Sequence, residues 1–100
     1  MRKNYVSKEN KDAKEFHGRK TINSGRHEFD KGDGENEMFV WDSKVTEKNS
    51  FKLSKQIWKK IEDEALLKNK RPMLSLDISG TELVVLDKHD FIELFVKNYP

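Results

Sequence analysis

The sequence predicts an α/β (α+β) fold in which a central mixed β-sheet is flanked by helices, in the order α-β-β-β-α-β-β-α. Three observations predict it. Apolar residues recur at helical spacing as Ile57, Trp58, Ile61 and Ala65, a stripe that one face of a helix would bury. Period-two alternation marks strands over 38–45 and 73–78. The Ser79-Gly80 pair then separates 73–78 from a second apolar run, 82–86, which is a hairpin signal.

The first element is a helix over 7–16, where Ser7 can cap, Ala13 and Phe16 form a sparse apolar face, and Gly18 ends the pattern. A short strand over 20–23 and the turn pair Ser24-Gly25 follow. Residues 26–34 carry Phe29 among charges and close on Gly32-Asp33-Gly34, as expected of a strand running into a turn. On the strand over 38–45, side chains alternate between faces. Met38, Val40, Asp42 and Lys44 therefore share one side, and Phe39, Trp41, Ser43 and Val45 the other. A helix over 54–68 begins at Ser54 and is stopped by Asn69 and Pro72. The last element is a helix over 88–98, with Asp90 near its start. Trp41 and Trp58 are expected in the core.

With 100 residues, a single domain over 1–100 is expected, because two half-sized cores would not offset the entropy of ordering the chain. Hydrophobic residues make up 34% and charged residues 38%, so the core should be thin. No run approaches the roughly 18 apolar residues of a membrane span, and no apolar stretch follows Met1-Arg2-Lys3-Asn4. A soluble, cytoplasmic protein without membrane partners is the expectation. There is no cysteine, which leaves oxygen and imidazole as metal donors and favours a hard cation. His17, His27 and His89 lack ligand spacing. The segment 30–35 lacks the acids that a calcium loop needs.

Charge is distributed in blocks. Residues 1–31 hold 9 basic and 5 acidic groups and residues 48–72 hold 8 and 3, whereas 32–47 hold 1 and 5. An acidic segment between basic ones suits a site that holds a cation and grips a polyanion; a mixed solvated surface explains it equally well.

Eight residues separate Asp33 from Asp42, and Lys44 follows two beyond. If the chain turns back near 35–37, the two carboxylates meet on neighbouring strands, where a divalent cation would relieve their repulsion. Lys44 would then hold the attacking water or offset charge on phosphoryl oxygens. Taken by spacing alone, a Gly-Asp-Gly turn and a strand-end lysine account for the same residues.

The stretch from Ser24-Gly25 through Lys31-Gly32-Asp33 to Phe39-Val40-Trp41-Asp42-Ser43-Lys44-Val45-Thr46, with Ser50-Phe51 beyond, resembles the core of PD-(D/E)XK nucleases. It is closest to the small Holliday-junction-resolvase-like members of archaea and phages, the latter acting inside the host cell. The resemblance covers residues 7–67 and implies a restriction-endonuclease-like core. It also implies a Mg2+- or Mn2+-dependent endodeoxyribonuclease acting on DNA, preferably branched, as a homodimer. Position by position, it implies that Asp33 and Asp42 are metal carboxylates, Lys44 the site lysine, and Glu9 the helix-borne acid, with Glu15 as competitor. Asp42 stands where the family more often has Glu. Gln56, and Lys55 beside it, resemble a polar residue that several branches aim at the site from this helix, though a solvated first-turn residue would look the same. Ser24 and Gly25 resemble a turn beside the scissile phosphate. Arg19, Lys20, Arg26, Lys48, Ser50, Lys52, Lys59 and Lys60 are candidates for the DNA backbone. A nicking or double-strand endonuclease of the same fold, or a non-catalytic nucleic-acid-binding module, would share these features.

Overall fold

The computed structural model describes the backbone of residues 2–21 and 32–99, and side chains from residue 7 onward within those limits. Three helices and five strands follow one another as α1 (Arg2–Glu15), β1 (Arg19–Lys20), β2 (Gly34–Glu35), β3 (Phe39–Thr46), α2 (Lys55–Leu67), β4 (Arg71–Ile78), β5 (Thr81–Leu86) and α3 (Lys88–Asn98). The architecture is α+β with one mixed sheet, ordered β1-β2-β3-β4-β5. Every neighbouring pair is antiparallel except β3 and β4, which run parallel over eight register pairs from Phe39↔Arg71 to Thr46↔Ile78. Parallel neighbours need a crossover, and α2 supplies it.

The alternation on β3 assigns the two layers. Trp41 is fully buried with Ala13 and Met73, and the Phe16 ring meets the Trp41 ring edge-on at 5.0 Å, so this side lies under α1. On the other side, Ile61 of α2 packs on Leu74 and Leu76, with Phe51, Ile57, Trp58, Ile78 and Val85 around them. Asp42, paired in register with Leu74, belongs to this second face.

Several boundaries differ from expectation for identifiable reasons. Helix α1 starts at Arg2, so Ser7 lies inside it and caps nothing. The expected strand over 20–23 is seen as Arg19–Lys20, with 22 and 23 outside the described residues. Of the expected strand over 26–34 only its end is described, and pairing continues to Glu35. Ser54 caps α2 as expected, its hydroxyl accepting from the Ile57 N–H at 3.1 Å. Asn69 takes a left-handed backbone, φ 54°, as a helix-ending residue does. Pro72 falls inside β4 rather than ahead of it. The antiparallel ladder with β5 begins only at Met73↔Leu86, so the N–H that proline lacks is not missed on that side.

Candidate active site

The strands bring Asp33 against β3. Its backbone N–H donates to the Trp41 carbonyl at 2.9 Å, and its carbonyl accepts from the Thr21 N–H at 3.2 Å, so it extends the β1-β2-β3 ladder by one step. Its carboxylate accepts from the Ser43 N–H at 2.8 Å. The acid just ahead of β2 is thus pinned to the Ser43 N–H, between Asp42 and Lys44. The turn that permits this is closed by Asn36, whose side-chain oxygen accepts from the N–H groups of Met38 and Phe39 at 2.9 and 2.8 Å.

Asp42 and Lys44 project from one face of β3, as alternation requires, with Lys44 Nζ 4.0 Å from Asp42 Oδ2. Asp42 is buried, only 3% exposed. Burial, and after it the Asp33 charge, raise its pKa above the ordinary aspartate range, against the opposing pull of Lys60 and Lys44. Glu9, on α1, is raised by burial and then by Asp33, with a further push from Asp42. Glu15 is exposed, and its charge acts on Lys11. Of the two helix acids, Glu9 is the one in electrostatic reach of the aspartates.

Helix α2 adds two side chains that sequence reasoning did not place here. Lys60 Nζ lies 3.8 Å from Asp42 Oδ2 and 3.7 Å from Glu64 Oε2. Glu64 is buried, and its Oε1 has no hydrogen-bond partner. Burial, followed by Asp42, raises its pKa. A signal for Glu64 existed: seven residues beyond Ile57, it falls about 20° from that residue, at the edge of the apolar stripe. A carboxylate there borders the surface that the helix packs on the sheet.

The remaining predicted residues are spread more widely. Gln56 is exposed and lines a cleft of about 410 Å3 with Lys59, Lys60, Asp63, Glu64 and Leu67. Lys20 is exposed and near enough to Glu9 to lower its pKa. Lys48, Ser50 and Lys52 are exposed on the loop between β3 and α2, and Lys55 is exposed at the start of α2. Arg19 pairs with Glu35, which also accepts from Lys68 and Lys70 at 2.8 Å each. Ser24, Gly25 and Arg26 lie outside the described residues.

Compared with protein-family models, curated proteins and solved structures, the chain matches none. The site must be argued from its own geometry.

A divalent cation is the group the residue types suggest. As the side chains stand, no three His, Cys, Asp or Glu groups among the described residues form a set that could hold a metal. Magnesium, however, is commonly held by one or two carboxylates and keeps several waters. Asp33 and Asp42 are donors of the type that such an ion takes. Both are oxygen donors, the Asp33 charge helps to raise the pKa of Asp42, and one Glu64 oxygen beside them has no hydrogen-bond partner. At present the compensating charge is supplied by Lys44 and Lys60.

Proposed function

We propose that this chain is a metal-dependent DNA endonuclease with a restriction-endonuclease-like core, most selective for four-way junctions. The supporting observation is the arrangement around Ser43: Asp33 bound to its N–H, with Asp42 and Lys44 flanking it on one strand. That grouping pairs two mutually repelling carboxylates with an adjacent ammonium, as the hydrolysis of a phosphodiester requires.

A Mg2+ or Mn2+ ion, when bound, polarises the phosphate and acidifies water. Asp33 and Asp42 are the residues that would hold it, with Glu9 contributing from α1. Lys44 orients the attacking water and offsets charge gathering on the phosphoryl oxygens. Water adds to phosphorus, the bond to the 3′ oxygen breaks, and the products are a 3′-hydroxyl and a 5′-phosphate. Lys20, Lys48, Ser50 and Lys52, all exposed, would supply salt-dependent contacts to the DNA backbone. Two symmetric nicks at a junction call for two copies of the site, hence a two-fold homodimer. Such a protein acts on DNA within the cell.

Incubation with labelled four-way junctions and linear duplexes, each with magnesium or with chelator, tests the proposal. Metal-dependent product that disappears in Asp42→Ala supports it, and preference for the junction over the duplex supports the selectivity.

One observation favours a second reading. Lys44 and Lys60 both neutralise Asp42 from within the chain, as in a non-catalytic nucleic-acid-binding module that has no use for a cation. Tight, salt-dependent binding with no cleavage in either metal would assign the chain to that class.

A further inference from the structure

Helix α3 is built the wrong way round for a helix that packs on its own domain. None of its residues is buried. Phe91, Ile92, Phe95, Val96 and Tyr99 are all exposed, Phe95 by 52% and Tyr99 by 72%. At 100° per residue these five fall within one continuous arc. The opposite arc carries Asp90 and Glu93, and Arg71 holds both, at 3.0 and 2.7 Å. The charged side of the helix is therefore tied to the body of the protein, while the apolar side faces outward. The aromatic rings already stack along it, Phe91 on Phe95 at 6.0 Å and Phe95 on Tyr99 at 5.5 Å.

An 11-residue helix is too short to be stable by itself in water, and Asp87 capping with Arg71 pairing does not bury an apolar stripe. Residues 22–31, the longest stretch outside the described structure, offer only Ile22 and Phe29 as large apolar side chains. They could not cover five.

We propose that the outward face of α3 is a two-fold interface with a second copy of this chain. The stripe is self-complementary. Two α3 helices crossing antiparallel at Phe95 would set Phe95 against its counterpart, Phe91 against the partner's Tyr99, and Ile92 against the partner's Val96. Antiparallel crossing also opposes the helix dipoles favourably and brings Lys88 toward the carbonyl end of the other helix. Leu83 and Val84 of the edge strand β5, which precedes α3 in the chain, are exposed as well, one on each face of the strand. With about 150–250 Å2 for each large side chain, roughly half of it available, the exposed apolar surface is on the order of 600 Å2 per chain. That approaches the roughly 800 Å2 per partner of a standard stable interface. A lipid surface is the alternative occupant, and vesicle flotation distinguishes it from a second copy. The inference stands apart from the nuclease reading: it needs only α3, and it would hold for an inactive chain.

Sedimentation equilibrium of the full chain tests it. The expected mass is twice 11.8 kDa, with the dimer dissociation constant weakened at least tenfold by Phe95→Glu and unaffected by Leu66→Glu, which alters an exposed leucine of α2. Circular dichroism checks that the sheet persists. Because the chain has no cysteine, Phe95→Cys provides a second measurement, and a short thiol crosslinker should capture a dimer there but not at Leu66→Cys. A wild type that stays monomeric at about 100 μM, or a dimer indifferent to Phe95→Glu, overturns the proposal. So does a monomer that floats with neutral or anionic vesicles.

Discussion

The Ser43 backbone N–H donates to the Asp33 carboxylate at 2.8 Å, while the Ser43 hydroxyl donates to Asp12 on α1 at 2.6 Å. One residue thus holds an acid of the candidate site from its main chain and anchors a helix from its side chain. Asp12 in turn pairs with Lys8 at 3.3 Å, and Lys8 donates to Ser75 of β4 at 3.0 Å. This buried network fixes α1 over the sheet, and Glu9 is carried on that helix next to Lys8. Ser43→Ala removes the hydroxyl and keeps the N–H, so it should leave Asp33 in place. It strips a buried carboxylate of one hydrogen bond, at a cost of about 1–3 kcal/mol, measured as a shift in the urea midpoint.

Lys44→Ala should reduce cleavage of a four-way junction by at least about 10²-fold and leave DNA affinity within about threefold. Its ammonium sits beside Asp42, where the proposed reaction would develop charge, and it would be one of many cations available to a DNA backbone. Single-turnover cleavage and equilibrium binding, measured on the same substrate, separate the two effects. Equal loss of both would remove Lys44 from the chemistry.

Asp33→Asn should weaken Mn2+ binding by at least about tenfold, since it removes one of two carboxylates available to a hard cation. Calorimetric titration reads it directly. For the wild type, Mn2+ at about 100 times its dissociation constant should stabilise the fold by about 2.7 kcal/mol, and this increment should shrink in the variant.

The pKa of Asp42 is raised in the folded chain, first by burial and then by Asp33. The folded state therefore holds its proton to a higher pH than the unfolded state does, and ionisation above that point disfavours folding. Asp42→Asn should accordingly stabilise the metal-free protein at pH 7, by about 4–8 °C if the relief is about 1 kcal/mol, while abolishing cleavage. The advantage should disappear as pH falls through the raised value of the wild-type group. Thermal unfolding from pH 7 down to pH 3 checks the sign.

Glu35 should behave in the opposite way. Burial pushes its pKa upward, but hydrogen bonds from Lys68 and Lys70 outweigh that and lower it. Its stabilising contribution is present above the unfolded value and lost as pH falls through the lowered one. Glu35→Gln should cost about 1–3 kcal/mol at pH 7 and progressively less in acid, as denaturant titrations at several pH values would show.

Much of the fold was legible because its signals are periodic. The alternation over 38–45 placed Asp42 and Lys44 on one face and Trp41 on the other, and the structure has them so. The 57–61–65 spacing gave α2, and Ser79-Gly80 gave the β4–β5 hairpin. Asp33 and Glu9 were named in advance, and the structure places both in electrostatic reach of Asp42. What periodicity could not convey is which charged residues meet across elements. From the sequence Lys60 is one more candidate for the DNA backbone and Glu64 does not stand out, because their partner, Asp42, lies on a strand that only the crossover brings near. The same holds for Glu35, whose cations come from β1 and from the turn before β4. Arg19 was read as a contact for DNA because pairings of this kind are invisible along the chain. The helix over 88–98 is legible as a helix, but that its apolar stripe faces outward is not, since a pattern shows that a stripe exists and not where it points.

Strand β3 is the middle member of the five, bonded along both edges. Any substitution that shifts its backbone disturbs the antiparallel half and the parallel half of the sheet together, so Asp42 and Lys44 are carried on the strand least free to adjust. Changes tolerated by the fold must therefore arise at the margins. The short outer strands, the loop joining β3 to α2 and the last helix can change without disturbing the centre.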